Sequence, residues 1–200
     1  MDNLNQDELL EACQKGSESA FRQLFEQYHR QVLHLAFRFS GNIQEAEDIA
    51  QEVFLKVFKE IANFQGTSSF YTWLYRITVN VCLDKNRQRQ RREKYHAKVN
   101  LEIHGHGVGE VALDQGSNAL EKQVWHTELQ QMLQAALNQI KPKLRVVIVL
   151  KHIQGLSLKE VAQILGCAEG TVSSRLNRGR MQLRRTLSRM GIDETYFQGA

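Results

Sequence analysis

Residues 156–187 contain the residue types and spacing of a helix-turn-helix. Ala162, Gly166 and Val172 lie at relative positions i, i+4 and i+10. A small residue at the first position lets two helices approach, glycine accepts the positive φ that ends the first helix, and valine is buried on the second. Ser157 and Glu160 have the spacing of a capping box at the start of the first helix. Such a unit is typical of proteins that insert a helix into the DNA major groove.

The second helix of this unit carries a one-sided positive charge. No acidic residue follows Glu169 as far as Arg189. The arginines are Arg175, Arg178, Arg180, Arg184, Arg185 and Arg189. A cationic helix in this position favours contact with DNA phosphates and bases. The alternative interpretation is an ordinary helical hairpin with a solvated basic face.

The residues that most often bind metals or form disulfides do not make a convincing set. His104 and His106 flank a glycine, and even together with His96 they lack the fixed geometry and further ligands of a metal site, so we interpret them as part of a solvated loop. Cys13, Cys82 and Cys167 are widely separated among apolar neighbours, as expected for buried thiols in a reducing compartment. We therefore expect no metal, no cofactor and no catalytic residue.

Composition is consistent with a cytoplasmic protein. The 200 residues are 42% hydrophobic, and the mean hydropathy is −0.43. No run of about eighteen apolar residues is present, so we expect no insertion into a membrane. The N-terminus is acidic and polar, unlike a secretory signal. The net charge is only +4, but it is unevenly distributed along the chain.

Hydrophobic periodicity predicts an all-α chain of two small helical domains. Apolar residues recur every three or four positions over Phe21–Phe39 after a Ser17 N-cap, over Ile43–Ile61 after Asn42, and from Ser69 to about Arg92. The β-prone residues 146–150 are interpreted as helix because the helical pattern continues after Pro142. The predicted organisation is an N-terminal domain (1–95), a glycine-containing flexible linker (96–120), a C-terminal helix-turn-helix domain (121–190) and a tail (191–200).

The second predicted helix is acidic on its exposed side. Asp48, Gln51, Glu52 and Leu55 lie close together at helical steps, near an outward-facing Phe58. Phosphate repels an acidic helix, so this face suits a protein partner better than DNA. A merely solvated acidic face remains an equal alternative.

Two further features lie at the start and end of the third predicted helix. Residues 63–77 place Phe64, Tyr71 and Tyr75 beside a Gly-Thr-Ser-Ser loop, which suits either stacking on unpaired bases or packing in the core. Residues 84–94 then hold a cationic run that favours contact with a phosphate backbone, the alternative being a solubilising linker. Its cations are Lys85, Arg87, Arg89, Arg91, Arg92 and Lys94.

Three segments, in order, resemble the extracytoplasmic-function (ECF) class of bacterial sigma factors. They are GSESAFRQLFEQY, the block EAEDIAQEVFLKVFKEIANFQGTSSFYTWLYRITVN, and LSLKEVAQILGCAEGTVSSRLNRGR. Within them, FxTWLYRI-x-x-N at 70–80 and EVAxxLG-x-x-x-GTV-x-SR at 160–175 are specific. The resemblance covers most of the chain except the linker and the tail.

The resemblance implies a role for each surface in binding RNA polymerase core and promoter DNA. Asp48, Gln51, Glu52 and Leu55 would contact the β′ clamp helices, and the C-terminal domain would contact the β flap. The loop Phe64–Ser69 would capture a flipped base of the minus-ten element, and the next helix would face its upstream edge. The implied minus-ten residues are Phe64, Gln65, Gly66, Thr67, Ser68, Ser69, Asn80, Asp84 and Arg87. The implied minus-thirty-five residues are Thr171, Ser173, Ser174, Arg175, Asn177, Arg178 and Arg180.

It also implies that the protein assists promoter melting without catalysis and is regulated by an anti-sigma factor. Two other classes of protein use a similar C-terminal unit. A stand-alone regulator would bind its operator without polymerase, whereas a small recombinase would need a nucleophile among clustered arginines or a metal-binding carboxylate set. The acidic helix, the aromatic loop and the basic run together disfavour the first class. The lack of a third inward carboxylate beside Asp48 and Glu52 disfavours the second.

Overall fold

The described part of the chain is helical and falls into two regions, as predicted. A computed structural model describes residues 5–103 and 128–192, and no strand occurs in these ranges. The N-terminal region contains α1 (Gln6–Gln14), α2 (Glu18–Ser40), α3 (Ile43–Glu60), a 3₁₀ turn (Ile61–Asn63) and α4 (Phe70–Ile103). The C-terminal region contains α5 (Glu128–Asn138), α6 (Pro142–Ile148), a π-helical turn (Val149–Ile153), α7 (Leu158–Leu165) and α8 (Glu169–Arg189).

Local capping residues determine where several helices begin and end. Ser17 and Asn42 each accept a hydrogen bond from the backbone N–H three residues later, at the starts of α2 and α3. Ser157 and Glu160 form the predicted capping box of α7. Gly166 ends α7 with φ +58°, a conformation that glycine adopts without strain.

Two features of the N-terminal region differ from the sequence expectation. The polar N-terminus forms α1, which buries Leu9, Leu10 and Cys13 against the rest of the region. The helix α4 continues to Ile103, eight residues beyond the predicted domain boundary at residue 95. No glycine or proline interrupts it before Gly105, so nothing in the local sequence stops the helix earlier. Residues 104–127, which include most of the predicted linker, and the tail beyond residue 192 lie outside the described ranges.

Each region has an apolar interior built from the predicted stripes. In the N-terminal region, Leu24, Val32, Val53 and Leu74 are completely buried between α2, α3 and α4. The aliphatic stretch after Pro142 is buried as helix and π-helical turn rather than as strand, which agrees with the interpretation from sequence.

In the C-terminal region, Val172 and Leu176 anchor α8 against α6 and α7. Gly179 allows α8 to approach α6, because a Cβ there would lie 2.9 Å from Ile148 Cδ1. This packing fixes which face of α8 remains outside.

The two regions also pack against each other through a buried arginine. Arg145 on α6 is only 2% exposed. Its guanidinium donates to the Phe39 carbonyl at the end of α2, and to the carbonyls of Asn138 at 2.7 Å and Ile140 at 3.3 Å. Burial lowers the pKa of Arg145 to about 10, and three carbonyl acceptors compensate for the loss of water. The contact joins the C-terminus of α2 to the C-terminal region.

A second set of polar contacts joins α2 and α4 to the segment around α7. The hydroxyl of Tyr75 donates a hydrogen bond to Gln154 Oε1 at 3.0 Å, and Gln154 Nε2 lies 3.3 Å from His34 Nδ1. The guanidinium of Arg76 donates to the Gln163 carbonyl at 2.8 Å. These contacts are not visible in the sequence pattern. They place the helix-turn-helix directly against α4.

Candidate protein- and DNA-binding surfaces

The exposed face of α3 brings together the acidic and apolar residues predicted to bind a protein. Asp48, Gln51 and Leu55 follow one another at helical steps and are exposed. Leu55 is 60% exposed, although leucine is among the residues most often buried. This arrangement is consistent with a surface that a partner covers.

The fourth predicted member of this surface, Glu52, has a second role in linking α3 to α4. Its carboxylate pairs with Lys85 Nζ at 3.0 Å and with Lys56 Nζ at 3.3 Å. Partial burial acts to raise the pKa of Glu52, but the hydrogen bonds and charges of Lys85 and Lys56 outweigh it and hold the pKa below its usual value. Glu52 is therefore ionised and held between the two helices.

Aromatic side chains extend the apolar part of this surface onto α2. Phe58 is 59% exposed and Phe25 is 37% exposed. Phe58 makes an edge-to-face contact with Phe21 at 5.0 Å, and Phe25 makes one with Phe54 at 4.7 Å. The sequence pattern identified Phe58 as outward-facing but assigned Phe21 and Phe25 to the apolar stripe of α2. In the sequence, the partial exposure of Phe21 and Phe25 is indicated only by their position at the edge of that stripe. Exposed aromatic groups that are clustered in this way often mark an interface.

The loop Phe64–Ser69 has an exposed tip between two fixed ends. Gln65, Gly66 and Thr67 are exposed, and Gly66 has φ +68°. Phe64 is half-buried, with its ring 5.1 Å from that of Trp73, and Gln14 donates to its carbonyl at 2.8 Å. At the other end, the hydroxyl of Ser69 accepts from the Thr72 backbone N–H at 3.2 Å, and Ser68 beside it is half-buried. The loop therefore presents backbone and small polar groups on a rigid support.

The remaining predicted minus-ten residues occupy one side of α4. Asn80, Asp84 and Arg87 are spaced by four and three residues, so they share a face of the helix. Asp84 Oδ1 lies 2.9 Å from Arg87 Nη2. Asn80 lies about 16 Å from Ser69 along the axis of α4, at about 1.5 Å per residue. The loop and this face of α4 therefore follow one another along the chain and along the helix axis.

The cationic run at 84–94 is divided between two environments. Lys85 is paired with Glu52, and Arg89 Nη1 is paired with Glu45 Oε2 at 3.3 Å. Arg91 and Arg92 are exposed at the end of the described side chains of this run. The side chain of Lys94 lies outside the described residues. Part of the run therefore fixes α4 on α3, while its distal part faces solvent.

The aromatic residues at the start of α4 are mainly structural. Tyr75 is 1% exposed and bonded to Gln154. Tyr71 is half-buried and stacks on Tyr75, with ring centroids 4.1 Å apart. Of the two interpretations of these aromatics, packing applies to Tyr75.

The helix α8 presents the predicted minus-thirty-five residues at different exposures. Ser174, Asn177 and Arg178 are exposed, whereas Thr171, Ser173 and Arg175 are half-buried at the edges of the outward face. Arg178 Nε donates to the Ser174 carbonyl at 3.2 Å. The outward face at the start of α8 therefore combines hydroxyl, amide and guanidinium groups, the groups that bind base edges.

Arg180 lies to one side of this face. Its Nε donates to His152 Nε2 at 3.1 Å. Burial, followed by Arg180 and Lys151, lowers the pKa of His152, which keeps the imidazole neutral and able to accept this bond. Arg180 is therefore oriented along the edge of α8.

Features of other functional classes are missing from the described ranges. Residues 5–103 and 128–192 contain no group of three side chains suited to a metal ion. His104 and His106 lie outside these ranges, and so does the side chain of His96. None of the described helices combines the length and apolar character needed to cross a membrane.

Comparison with protein families agrees with the two described regions. Residues 24–92 match sigma-70 region 2, and residues 130–183 match sigma-70 region 4. The first match contains α3, the loop and the start of the cationic run. The second contains the helix-turn-helix.

Similar proteins share most of their length with this chain. The RNA polymerase sigma-H factor of Pseudomonas aeruginosa is 34% identical, over 90% of this chain and 92% of that protein. The ECF RNA polymerase sigma factor SigW of Bacillus subtilis is 35% identical, over 89% and 94%. The ECF RNA polymerase sigma-E factor of Escherichia coli is 36% identical, over 86% and 88%.

Solved structures show the same fold. The sigma factor RpoE of Bartonella quintana, in complex with the anti-sigma factor NepR, has a TM-score of 0.58 at 25% identity and covers 84% of this chain and 96% of its own. CnrH, in complex with the cytosolic domain of CnrY, has a TM-score of 0.62 at 23% identity and covers 90% and 95%.

Sequence, fold and surfaces thus lead to one assignment. Proteins of this kind are transcription initiation factors rather than enzymes, as the sequence predicts. The chain belongs to the extracytoplasmic-function family of RNA polymerase sigma factors.

Proposed function

We propose that this sigma factor directs RNA polymerase core to promoters through three separate surfaces. The observation that carries the proposal is their separation on one chain. An acidic and apolar face on α3 serves the polymerase, the loop with α4 serves the minus-ten element, and α8 serves the minus-thirty-five element.

The polymerase-binding surface consists of Asp48, Gln51, Glu52 and Leu55, and it docks on the β′ clamp helices. Exposed Leu55 supplies apolar area at the centre of the contact, and Asp48 supplies charge that selects a basic partner. The helix-turn-helix region makes a second contact with the β flap. Two attachments to one enzyme fix the distance between the DNA-reading surfaces.

The minus-ten element is read where the DNA strands separate. The exposed tip of the loop Phe64–Ser69 holds a flipped base of the non-template strand, and its backbone groups bond to the base edge. Asn80, Asp84 and Arg87 face the upstream edge of the element. Flipping a base costs a few kcal/mol, and a protein pocket for the base offsets part of that cost.

The minus-thirty-five element is read by the outward face of α8 in the major groove. Ser174, Asn177 and Arg178 are central to this face, Thr171, Ser173 and Arg175 flank it, and Arg180 reaches the adjacent phosphates. Each DNA-reading surface binds weakly alone. Attachment to the polymerase raises the effective concentration of the second surface once the first has bound.

The protein acts in the cytoplasm under the control of an anti-sigma factor. The related Bartonella quintana protein was solved with such a factor. The exposed residues Leu55 and Phe58 give an anti-sigma factor a surface from which to exclude the polymerase.

The test is transcription in vitro with core polymerase and a genomic template library, with start sites mapped. Wild-type protein should produce defined starts that the core enzyme alone does not produce. Asp48→Arg should abolish both initiation and co-purification with the core. Glu11→Arg, a charge reversal on exposed α1, is the matched control and should retain both. Retained polymerase binding by Asp48→Arg would contradict the assignment of α3.

A further inference from the structure

The first helix, α1, lies outside the segment that matches sigma-70 region 2 and packs against the start of the loop Phe64–Ser69. The match begins at residue 24, whereas α1 spans Gln6–Gln14. The helix contacts α2 and the 3₁₀ turn Ile61–Asn63, which leads directly into the loop. Leu9 and Cys13 are buried and attach α1 to the core. The helix is therefore in a position to affect how the loop is held.

The end of α1 is held in one position by its own backbone hydrogen bonds. The N–H of Ser17 donates to the Ala12 carbonyl at 3.0 Å, and the N–H of Gly16 donates to the Cys13 carbonyl at 3.0 Å. Gly16 has φ +83°. This pair of bonds around a left-handed glycine is a Schellman motif, which closes a helix in a defined geometry. Gln14 lies in the last turn of α1, so the backbone from which its side chain extends is fixed.

The side chain of Gln14 connects this helix end to the loop. Its Nε2 donates to the Phe64 carbonyl at 2.8 Å. The N–H of Phe64 donates to the Ile61 carbonyl at 3.1 Å, and its ring lies 5.1 Å from that of Trp73. The backbone groups and the ring of Phe64 are therefore all held, and the exposed part of the loop begins at Gln65.

The bond from Gln14 also determines the direction of the first backbone donor of the loop tip. A peptide unit is planar and trans, so its C=O and N–H point in opposite directions. The Phe64 carbonyl faces Gln14, so the N–H of Gln65 in the same peptide unit must face away from Gln14. Without the bond, rotation about the Cα–C bond of Phe64 can turn this carbonyl toward water, and the N–H of Gln65 turns with it.

The other end of α1 is attached to the aromatic residues that support the loop. Gln6 Nε2 donates to the Tyr28 hydroxyl at 2.9 Å. The ring of Tyr28 makes an edge-to-face contact with Phe70 at 5.2 Å, and Phe70 makes one with Phe64 at 5.9 Å. Because α1 is fixed relative to the loop at both ends, the amide of Gln14 bonds to Phe64 from a rigid element.

We propose that Gln14 is a positioning residue for the capture of a flipped base by the loop Phe64–Ser69. It acts through the peptide unit that joins Phe64 to Gln65 and makes no contact with DNA. The inference rests on the function proposed above, which assigns base capture to this loop. Since the oriented N–H bonds to the base edge, Gln14 contributes to affinity for the base, and not to affinity for the DNA backbone or for polymerase.

The test compares the binding of two single-stranded DNA probes by fluorescence anisotropy, with holoenzyme formed from the full chain and core polymerase. The probes are the non-template strand of a promoter mapped with wild-type protein, either intact or with one abasic position in the minus-ten element. The abasic position is the one at which wild-type protein loses most affinity. The ratio of the two affinities measures base capture and cancels general effects on DNA binding.

The variant Gln14→Met keeps the length and neutrality of the side chain and removes its N–H donor. It should lower the affinity ratio about fivefold, as for the loss of one neutral hydrogen bond. Its affinities for the abasic probe and for core polymerase should stay unchanged, which checks that the fold is intact. Gln27→Met is the matched control, because the Gln27 amide donates at 3.3 Å to Gln6 at the other end of α1. It should leave the ratio unchanged.

Two results would overturn the role of Gln14. The first is a Gln14→Met holoenzyme with the same affinity ratio as wild type. The second is an equal fall in the ratio for Gln14→Met and Gln27→Met, which would show that any loosening of α1 has the same effect. Failure of the proposed function is a different result, in which wild-type protein binds the intact probe and every abasic probe equally. That result would overturn the role of Gln14 as well.

Discussion

A methyl group added at Gly41 tests the contact between the two helical regions. Gly41 ends α2 with φ +77°, and a Cβ at this position would lie 2.2 Å from Asn138 Nδ2 on α5. Asn138 is not free to move without cost, because its Oδ1 accepts a hydrogen bond from Gln134 at 3.1 Å. Gly41→Ala therefore forces the Asn138 side chain out of its position against the end of α2.

The size of the effect follows from two separate contributions. Alanine in a left-handed conformation costs about 1–2 kcal/mol at any such position. Displacing Asn138 also loses its bond to Gln134, at about 1 kcal/mol, together with close packing around it. Gly16→Ala is the matched control, because Gly16 has φ +83° and nothing lies within 4 Å of its added Cβ. The free energy of unfolding should fall by about 1–2 kcal/mol more for Gly41→Ala than for Gly16→Ala.

Urea denaturation of both variants, followed by circular dichroism, measures this difference. With an m-value of about 2 kcal/mol per molar urea, the Gly41→Ala midpoint should lie about 0.5–1 M below that of Gly16→Ala. Equal midpoints would refute the inference that α2 and α5 are in close contact in solution.

Three further predictions concern the pH response and the two binding surfaces. Burial and the nearby Arg38 lower the pKa of His34 below its usual value of 6.5. The fold is therefore fully stabilised by neutral His34 above pH 6.5, and this stability is lost as the pH falls through the lowered pKa. His34→Gln should flatten that loss in urea midpoints measured at about pH 8 and about pH 5, and an equal slope would contradict it. Arg178→Ala should weaken binding to the minus-thirty-five element by about 1–3 kcal/mol. Transcription from templates with altered elements checks this effect, and unchanged promoter selectivity would argue against a base contact. Leu55→Ala with Phe58→Ser should weaken binding to polymerase core by about 1–3 kcal/mol with little change in unfolding, because both side chains are more than half exposed. Co-sedimentation with the core measures it, and unchanged affinity would place the interface elsewhere.

The sequence predicts the helix ends and the buried helix faces, because these depend on residues that are close together in the chain. Ser17 and Gly166 end their helices through backbone groups within four positions, so their roles can be read locally. The apolar period of α2, α3 and α4 likewise identified the buried faces. The specific motifs at 70–80 and 160–175 indicate the candidate surfaces without any structure.

Contacts between distant residues were not predictable in this way. Arg145 meets Phe39 across 106 positions, and Gln154 meets Tyr75 across 79. Neither pair has a periodicity or a charge pattern that singles it out. The ion pair between Glu52 and Lys85 is not predictable for a similar reason, because the sequence pattern places the two residues on different surfaces.

The hydrogen bond from Arg76 to the Gln163 carbonyl limits the distance between the two proposed DNA-binding surfaces. Asn80 lies four residues from Arg76, and Thr171 lies eight residues from Gln163, so the two ends are less than about 45 Å apart even with that stretch fully extended. The positions that name the two proposed elements, minus ten and minus thirty-five, differ by about 25 base pairs, which is about 85 Å of duplex at 3.4 Å per base pair. The 24 residues of 104–127 have a contour length of about 80 Å. If Asn80 and Thr171 read the two elements as proposed, a molecule that binds both must first break the α4–α7 hydrogen bond. The free energy of that undocking is then subtracted from its apparent affinity for promoters.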